Sequence, residues 1–210
     1  ANYSISPGQT TTAHISKKLL TVSSISASNK TYDGNDTATT TISLSGFIGT
    51  ETVISSNLSS FNNKNVGTGK TITVNSITLA NGANGGLAAN YSVATGQTTT
   101  ANITAKPLSV SGITTSNKVY DGNNTATTTL TLSDFIGSET LTNTNLSTFD
   151  NKNVGSNKTV TVNSITLSDG TNGGLASNYS ISPGQTTTAN ITAKPLSISG
   201  ITASNKIYDG

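Results

Sequence analysis

The chain has 210 residues, of which 32% are hydrophobic and 10% are charged, and its formal net charge is +2. The low apolar content would fit a disordered chain, but the near-zero net charge argues against disorder, and the many threonine, valine, isoleucine and tyrosine residues favour β-strands. The absence of cysteine excludes thiol catalysis, disulfides and thiolate metal sites, and eleven scattered lysines without arginine argue against nucleic-acid binding.

The sequence repeats itself with a period of 88 residues and without insertion or deletion. Residues 1–88 and 89–176 are identical at 59 positions and differ at 29. A period of this length is too long for one turn of a solenoid, so each copy is predicted to be a whole domain. No apolar run approaches the length of a membrane span, and no signal peptide is visible in this segment.

The joints between repeats are predicted near Lys18, Lys106 and Lys194. Two of these lysines precede a proline, which has no backbone N–H and is expected to interrupt a β-ladder. The predicted domains are the C-terminal strands of a preceding repeat (1–17), two complete repeats (18–105 and 106–193) and the first strands of a further repeat (194–210).

Within the second repeat, apolar and polar residues alternate with a period of two, which predicts β-strands. Clusters of glycine, asparagine and aspartate separate these runs, and no stretch has a helical period. The runs are 108–113, 125–132, 139–149, 158–167, 178–181 and 186–192. Such short strands predict an all-β fold of tandem Ig-like sandwiches in an elongated rod. A β-grasp-like, mainly-β domain is the alternative, because periodicity does not reveal strand order.

One hexapeptide, Asn-Lys-Xaa-Tyr-Asp-Gly, occurs at 29–34, 117–122 and 205–210. Its tyrosine is predicted to pack in the core, its aspartate to bond the backbone of a turn, and its glycine to take a positive φ. The predicted structural motif comprises Tyr32, Asp33, Gly34, Tyr120, Asp121, Gly122, Tyr208, Asp209 and Gly210. Tyr91 and Tyr179, in the repeated "NYS" segment, are predicted core residues as well.

The sequence offers little support for catalysis. His14 aligns with asparagine in the other copies, and the only acids kept in each complete copy are the Asp33-type residue and Glu51 or Glu139. We therefore expect no enzyme and no cofactor. Calcium at a repeat joint is an alternative, but Ca²⁺ needs six to eight oxygen ligands, and the acids near the "DGN" segment differ between copies.

Two further hypotheses concern lysines and threonines. Lys30 and Lys118, or Lys64 and Lys152, would form isopeptide cross-links if a neutral lysine lay beside an amide and a protonated acid. The threonine-rich runs would form a flat hydroxyl face that binds ice or sugar. A solvated lysine and a solvent-facing strand are the simpler interpretations of both patterns.

Taken together, the N-K-x-Y-D-G opening, the "NKNVG" middle, the "NYS" strand and the closing "ITAKPL" resemble the YDG-type repeat, a relative of the MBG repeat. These repeats occur in large bacterial surface adhesins, many of them similar to filamentous-haemagglutinin-type exoproteins. The resemblance covers essentially the whole chain. It implies a secreted or cell-surface, non-catalytic stalk whose partners are neighbouring repeats of the same chain. The alternatives are weak binding of glycans or surfaces by each repeat, and assembly with other copies into a filament.

Overall fold

A computed structural model describes residues 2–210 and shows an all-β protein with two compact units, which divide between Ala105 and Lys106. The only helices in the described residues are two single turns of 3-10 helix, Ala88–Asn90 and Ala176–Asn178. The prediction of tandem all-β domains is confirmed.

The first unit contains eight strands. The residues that form them alternate between the interior and solvent, as the period of two requires. The strands are β1 (Lys18–Ala27), β2 (Lys30–Thr31), β3 (Thr37–Ala38), β4 (Thr40–Ser45), β5 (Val53–Phe61), β6 (Gly67–Asn81), β7 (Tyr91–Val93) and β8 (Thr98–Thr104).

The second unit repeats this arrangement with nine strands, because the counterpart of β1 is broken after Pro107. The strands are β9 (Lys106–Pro107), β10 (Ser109–Thr115), β11 (Lys118–Val119), β12 (Thr125–Ala126), β13 (Thr128–Ser133), β14 (Leu141–Phe149), β15 (Gly155–Asp169), β16 (Tyr179–Ser180) and β17 (Thr186–Thr192).

The strand order, which periodicity could not give, is the same in both units. In the first, one sheet has the order β4-β1-β7 and the other has the order β2-β8-β6-β5-β3. Most pairs are antiparallel, but β1 pairs with β7 and β2 pairs with β8 in parallel. In the second unit, β16-β9 and β11-β17 are the matching parallel pairs.

The strand at the joint ends at its proline, as expected, but the proline itself still lies within the pairing with β16. Pro107 lies in the two-residue strand β9 opposite Ser180, and the next residue, Leu108, donates its N–H to the Ser180 carbonyl at 2.8 Å. Proline is tolerated here because it occupies an edge position whose N–H is not needed. The first unit has Leu19 at this position, and β1 runs through it without a break.

The core of each unit is small and is supplied by inward-facing residues of the five-stranded sheet. In the first unit Ile72 and Val74 of β6 are fully buried, while Thr71 of the same strand is exposed. In the second unit Phe149, Val160, Ala189 and Ile191 form the corresponding cluster. Each fully buried large side chain stabilises the fold by roughly 1.5–3 kcal/mol.

The strands expected in 1–17 and 194–210 are not formed in this structure, and residue 1 lies outside the described residues. Residues 2–17 and 193–210 contain no strand and are exposed. The identical run "TTTANIT" is a strand in both β8 and β17, where it pairs with the long strand of its own repeat. The equivalent run at 10–16, "TTTAHIS", forms no strand in the described residues.

Candidate functional site

The tyrosine of the repeated hexapeptide lies at the inner side of a corner that joins two strands. Tyr32 is only 1% exposed, and its backbone N–H donates to the carbonyl of Thr104 at 2.8 Å. Asp33 accepts a hydrogen bond from the Asn35 N–H at 3.2 Å, and Gly34 has a φ of 82°. A positive φ is readily adopted by glycine, which has no Cβ, so the motif forms a turn just after the strand.

The lysine of the same hexapeptide fills this corner with its ammonium group. Lys30 Nζ forms an ion pair with Asp33 Oδ1 at 2.7 Å and donates to Asn35 Oδ1 at 2.9 Å, to the Asn35 carbonyl at 3.0 Å and to the Thr37 carbonyl at 3.1 Å. Four oxygens therefore surround one cation that the chain itself supplies. Charge-assisted hydrogen bonds of this length are stronger than neutral ones.

The second unit has the same cage around Lys118. Its Nζ lies 2.8 Å from Asp121 Oδ1 and from Asn123 Oδ1, and it donates to the carbonyls of Asn123 and Thr125 at 3.1 and 3.0 Å. Gly122 has a φ of 86°. We call the two sites the lysine cages. Tyr120 is half-buried and packs against the core cluster rather than being enclosed as Tyr32 is.

The lysine cages shift the ionisation of their aspartates. The hydrogen bond from Lys118, aided by the Asn123 N–H, lowers the pKa of Asp121 below its usual value. Partial burial pushes the pKa of Asp33 upward, but the hydrogen bonds from Lys30 and from the Asn35 N–H outweigh that effect and lower it. Both carboxylates therefore stay ionised at neutral pH.

The third copy of the hexapeptide forms only part of this corner. Lys206 and Asp209 make an ion pair of 2.9 Å, and Gly210 has a φ of 86°. Tyr208, however, is 91% exposed. The ion pair and turn thus form locally, whereas burial of the tyrosine depends on the rest of a repeat.

The second pair of predicted tyrosines forms a hydrogen-bonded cluster with a glutamate. The Tyr91 hydroxyl donates to Glu51 Oε2 at 2.5 Å and accepts from the Ile48 N–H at 3.2 Å, and the Phe47 ring meets Tyr91 edge-on at 5.7 Å. The hydrogen bond to Glu51 raises the pKa of Tyr91, although the Ile48 N–H opposes the shift. Tyr179, Glu139, Ile136 and Phe135 repeat this arrangement.

A glycine-rich loop holds the segment that carries Glu51. Ala83 donates its N–H to Thr52 Oγ1 at 3.0 Å and accepts from the Thr52 N–H at 3.2 Å. A Cβ on Gly82 or Gly86 would lie about 2 Å from the Thr52 carbonyl oxygen, so neither position has room for a side chain. We call residues 82–86, and their counterparts 170–174, the threonine-clasp loops.

A cleft of about 360 Å³ adjoins the Tyr91 cluster in the first unit. Its lining includes Lys17, Lys18, Glu51 and Tyr91. The Tyr91 hydroxyl and the Glu51 carboxylate in this lining are bonded to each other.

Lys30 and Lys118 do not meet the chemical requirements of an isopeptide cross-link. Lys30 and Lys118 are held by ionised aspartates, whereas the reaction needs a neutral amine and a protonated acid. Lys158 is buried and pairs with Asp150 at 2.8 Å, and the hydrogen bond from Lys158 lowers the pKa of that carboxylate too. Lys64 lies over the Tyr32 ring at 6.0 Å from its centroid.

The outer face of the five-stranded sheet carries an uncharged array of threonines. Thr71 lies opposite Thr100 and Thr73 opposite Thr98, and their side chains alternate with the buried core residues. The second unit repeats the pattern with Thr159, Thr161, Thr186 and Thr188. Neighbouring strands are about 4.8 Å apart, so each unit presents a small, regular hydroxyl surface to solvent.

The sequence profile of the YDG domain matches residues 16–101 and matches again at residues 104–189. The chain belongs to the YDG domain family. A search of curated proteins and a search of solved structures each found no match. The two YDG matches confirm the tandem repeat predicted from the hexapeptide.

Membrane-spanning helices and clusters of metal ligands are both missing from the described residues of these YDG repeats. Within residues 2–210, no helix is both long and apolar enough to cross a membrane. In the same part of the chain, no three histidine, aspartate or glutamate side chains come together as metal ligands would.

Most contacts in the turn that the YDG hexapeptide forms were not predicted from the sequence. The sequence placed Tyr32 and Asp33 in a strand and a turn, but Lys30 was expected to be solvated or cross-linked. The repeated spacing of Lys, Asp, Asn and Thr in "NKxYDGNxT" was a usable signal, because carbonyls and carboxylates beside a lysine in a tight turn favour a closed cage. The Tyr91–Glu51 bond joins residues 40 apart and had no local signal.

Proposed function

We propose that this tandem YDG chain is a non-catalytic stalk segment of a long extracellular bacterial adhesin, which holds a binding region away from the cell and bears load. The observation that carries the proposal is the parallel pairing of the first and last strands of each unit. The extracellular setting rests on the resemblance to adhesin repeats.

Parallel terminal strands determine how a pulling force acts on a unit. In the first unit Lys18 lies opposite Tyr91 and Lys30 lies opposite Ile103, so the first strands and the last strands run side by side in the same direction. The chain therefore enters the pair at one end and leaves it at the other. A pull along the chain shears these hydrogen bonds together instead of opening them one after another.

Side-chain contacts reinforce the same strand pair. Asn29 Oδ1 accepts a hydrogen bond from the Asn102 N–H at 2.7 Å, and Tyr32 donates its N–H to Thr104. In the second unit Asn117 Oδ1 accepts from the Asn190 N–H at 2.8 Å. These asparagines belong to the YDG hexapeptide, so the repeated motif lies where a stretched unit would carry force.

The surface chemistry of the units supports a spacer more than a ligand site. Glycan recognition at the YDG corner would need an exposed aromatic ring beside polar groups, but Tyr32 is buried and Tyr120 packs on the core. The threonine array is neutral and has no aromatic residue. Interfaces with high affinity draw on buried aromatic and arginine anchors, and this chain contains no arginine.

Single-molecule stretching of the full chain tests the proposal. We expect two unfolding events, and we expect the paired change Asn29→Ala and Asn117→Ala to lower the force of both. The matched control is Asn75→Ala with Asn163→Ala, which removes hydrogen bonds to Ser60 and Thr148 inside the β5–β6 and β14–β15 hairpins. A lower force in the control and an unchanged force in the Asn29 and Asn117 variant would contradict load transfer through the terminal strands.

A binding experiment distinguishes the stalk proposal from weak binding of glycans or surfaces and from assembly into a filament. A fluorescent full chain is applied to whole cells and to a glycan array, and its oligomeric state is measured by sedimentation. The stalk proposal predicts no saturable binding and no self-assembly. Saturable glycan or cell binding would favour a repeated weak binding site with avidity, and concentration-dependent assembly would favour a filament.

A further inference from the structure

The threonine-clasp loops contain a reactive chemical group that the stalk role does not use. Three Asn-Gly pairs occur in the chain, at Asn81-Gly82, Asn84-Gly85 and Asn172-Gly173, and all three lie in or beside these loops. Asparagine followed by glycine is chemically labile, because glycine has no side chain to hinder attack of its backbone nitrogen on the preceding amide. Asparagine is in general a thermolabile residue.

The three pairs differ in whether the backbone N–H of the glycine already donates a hydrogen bond. The Gly82 N–H donates to the Gly86 carbonyl at 2.9 Å, so the nitrogen that would attack Asn81 is engaged. The N–H groups of Gly85 and Gly173 donate to no acceptor in the described part of the chain, and both residues are exposed. In the Asn84-Gly85 and Asn172-Gly173 pairs, therefore, the attacking glycine nitrogen is not engaged in a hydrogen bond and is accessible to water.

The same two asparagines make a contact that depends on their amide. Asn84 Nδ2 donates to the Thr50 carbonyl at 2.9 Å, and Asn172 Nδ2 donates to the Ser138 carbonyl at 2.9 Å. These carbonyls belong to the segment that carries Glu51 or Glu139. A carboxylate in place of the amide has no hydrogen to donate and would face a carbonyl oxygen, so the contact would change from attraction to repulsion.

Asn81 differs from Asn84 and Asn172 because the contact that its side chain makes with the backbone needs only an oxygen acceptor. Asn81 uses its Oδ1 to accept the Ala88 N–H at 2.9 Å, and at the equivalent position Asp169 accepts the Ala176 N–H at 2.7 Å. An oxygen acceptor is all that this position requires, so an acid is accommodated there. Both units, by contrast, retain the amide at Asn84 and Asn172.

We propose that Asn84 and Asn172 are sites of spontaneous deamidation, and that loss of either amide releases its threonine-clasp loop. The backbone nitrogen of the following glycine bonds to the asparagine Cγ, the Cγ–Nδ2 bond breaks, and ammonia leaves with the proton that the nitrogen gives up. Water then opens the resulting succinimide to aspartate or isoaspartate.

The chain cannot easily avoid this chemistry by replacing the glycines. Gly85 and Gly173 have φ values of 85° and 86°, which side-chain-bearing residues rarely adopt. Asn84 and Asn172 themselves have positive φ values of 57° and 56°, a conformation that asparagine tolerates better than most residues. The backbone conformation of the turn that binds Thr52 or Thr140 therefore favours Asn-Gly, which is the residue pair that deamidates.

The first test follows the reaction in the full chain during incubation in mildly alkaline buffer. Peptide mapping with fragmentation that separates isoaspartate from aspartate gives the rate at each pair. We expect Asn84 and Asn172 to convert several-fold faster than Asn81 in the folded protein, and all three to convert at similar rates in urea. Equal rates in the folded protein, or no conversion of Asn84 and Asn172 while the denatured chain reacts, would overturn the proposal.

The second test measures the consequence with N84D and its matched control N81D. Hydrogen exchange is read at the Thr52 and Gly86 amides, both of which donate to the Ala83 carbonyl. We expect faster exchange in N84D, no change in N81D, and unchanged exchange in the second unit, which serves as an internal reference. Protection in N84D equal to that of the unaltered chain would overturn the claim that the amide holds the loop.

Discussion

The Tyr179 hydroxyl donates a hydrogen bond of 2.7 Å to Glu139 Oε2, and Glu139 is only 7% exposed. The same bond joins Tyr91 to Glu51 at 2.5 Å, but there the glutamate is half-buried. One contact therefore occurs twice in the chain at two different depths. A buried polar group costs more to leave without its donor than one that water can reach, so the two copies should respond differently to the same substitution.

Replacing Tyr179 by phenylalanine is expected to destabilise the second unit by about 1–3 kcal/mol, because it removes the hydroxyl donor of Glu139 and the acceptor of the Ile136 N–H. Tyr91→Phe is expected to destabilise the first unit less. Urea unfolding, with hydrogen exchange to assign each transition to its unit, measures the difference. Equal losses in the two variants would show that the depth of the glutamate does not matter.

Acid is expected to weaken the lysine cages. The pKa of Asp121 is lowered in the folded protein, chiefly by the Lys118 hydrogen bond, so the unfolded chain takes up a proton first as the pH falls. The stabilisation is present above the ordinary aspartate pKa of about 4 and is lost as the pH falls through the lower folded value. Urea midpoints measured at stepped pH follow this loss.

The Lys118→Met variant is the control for this acid effect. Without the ammonium the Asp121 pKa returns towards its ordinary value, so the acid-dependent loss of stability in the second unit should become shallower. The first unit keeps Lys30 and should retain its full pH dependence. A second unit whose acid sensitivity is the same with and without Lys118 would assign that sensitivity to other carboxylates.

Gly174→Ala is expected to disrupt the second threonine-clasp loop, because the new Cβ would lie 2.0 Å from the Thr140 carbonyl oxygen. Relief of this clash requires the backbone to move, at a cost of about 3 kcal/mol or more. Gly112→Ala is the matched control. A Cβ there would meet the Thr131 side chain at 3.6 Å, and the equivalent residue in the first unit is Ser24.

The two glycine variants are compared by thermal unfolding of the full chain. Gly112→Ala is expected to leave the midpoint unchanged or to raise it slightly, because alanine restricts the unfolded chain. Gly174→Ala is expected to lower the midpoint of one unit by roughly 12–24 °C. A clasp loop that accepted alanine without loss of stability would contradict the close approach of residues 170–174 to Thr140.

Truncating the hexapeptide tyrosine should have three different effects. Tyr32→Ala removes a fully buried ring and is expected to cost about 3–5 kcal/mol, whereas Tyr120→Ala should cost less because that ring is half-buried. Tyr208→Ala should have no measurable effect, since Tyr208 is exposed. Chemical denaturation of the three variants gives the order, and a cost at Tyr208 similar to that at Tyr32 would contradict it.

The strands were predictable because their signal is local. The run predicted at 186–192 is the strand Thr186–Thr192, and the run predicted at 139–149 contains Leu141–Phe149. Alternation assigns side chains to a face, and the turn residues mark where a strand ends. The lengthening of 158–167 to Gly155–Asp169 was not predicted, because pairing with β17 extends the strand back to Gly155 and pairing with β14 extends it to Asp169.

Partners between distant strands were not predictable from the same signal. The pairs Lys30–Ile103 and Lys118–Ile191 join the beginning of a repeat to its end, and period-two alternation is the same for any choice of partner. The Tyr–Glu cluster and the threonine clasp depend on this long-range pairing. The tyrosine of the YDG hexapeptide was predicted as a core residue, but the cage around its lysine was not.

The parallel pairing of β2 with β8 also determines when a repeat can finish folding. Asn29 and its partner Asn102 are 73 residues apart in the chain. At a synthesis rate of about 5–20 residues per second, the first strand waits roughly 4–15 s for the last strand to leave the ribosome. During that interval the first strand has an unpaired edge, and the identical "TTTANIT" strand of the next repeat would fit it as well as its own. The repeat's own strand is the earlier of the two to leave the ribosome, so the order of synthesis favours pairing within the repeat.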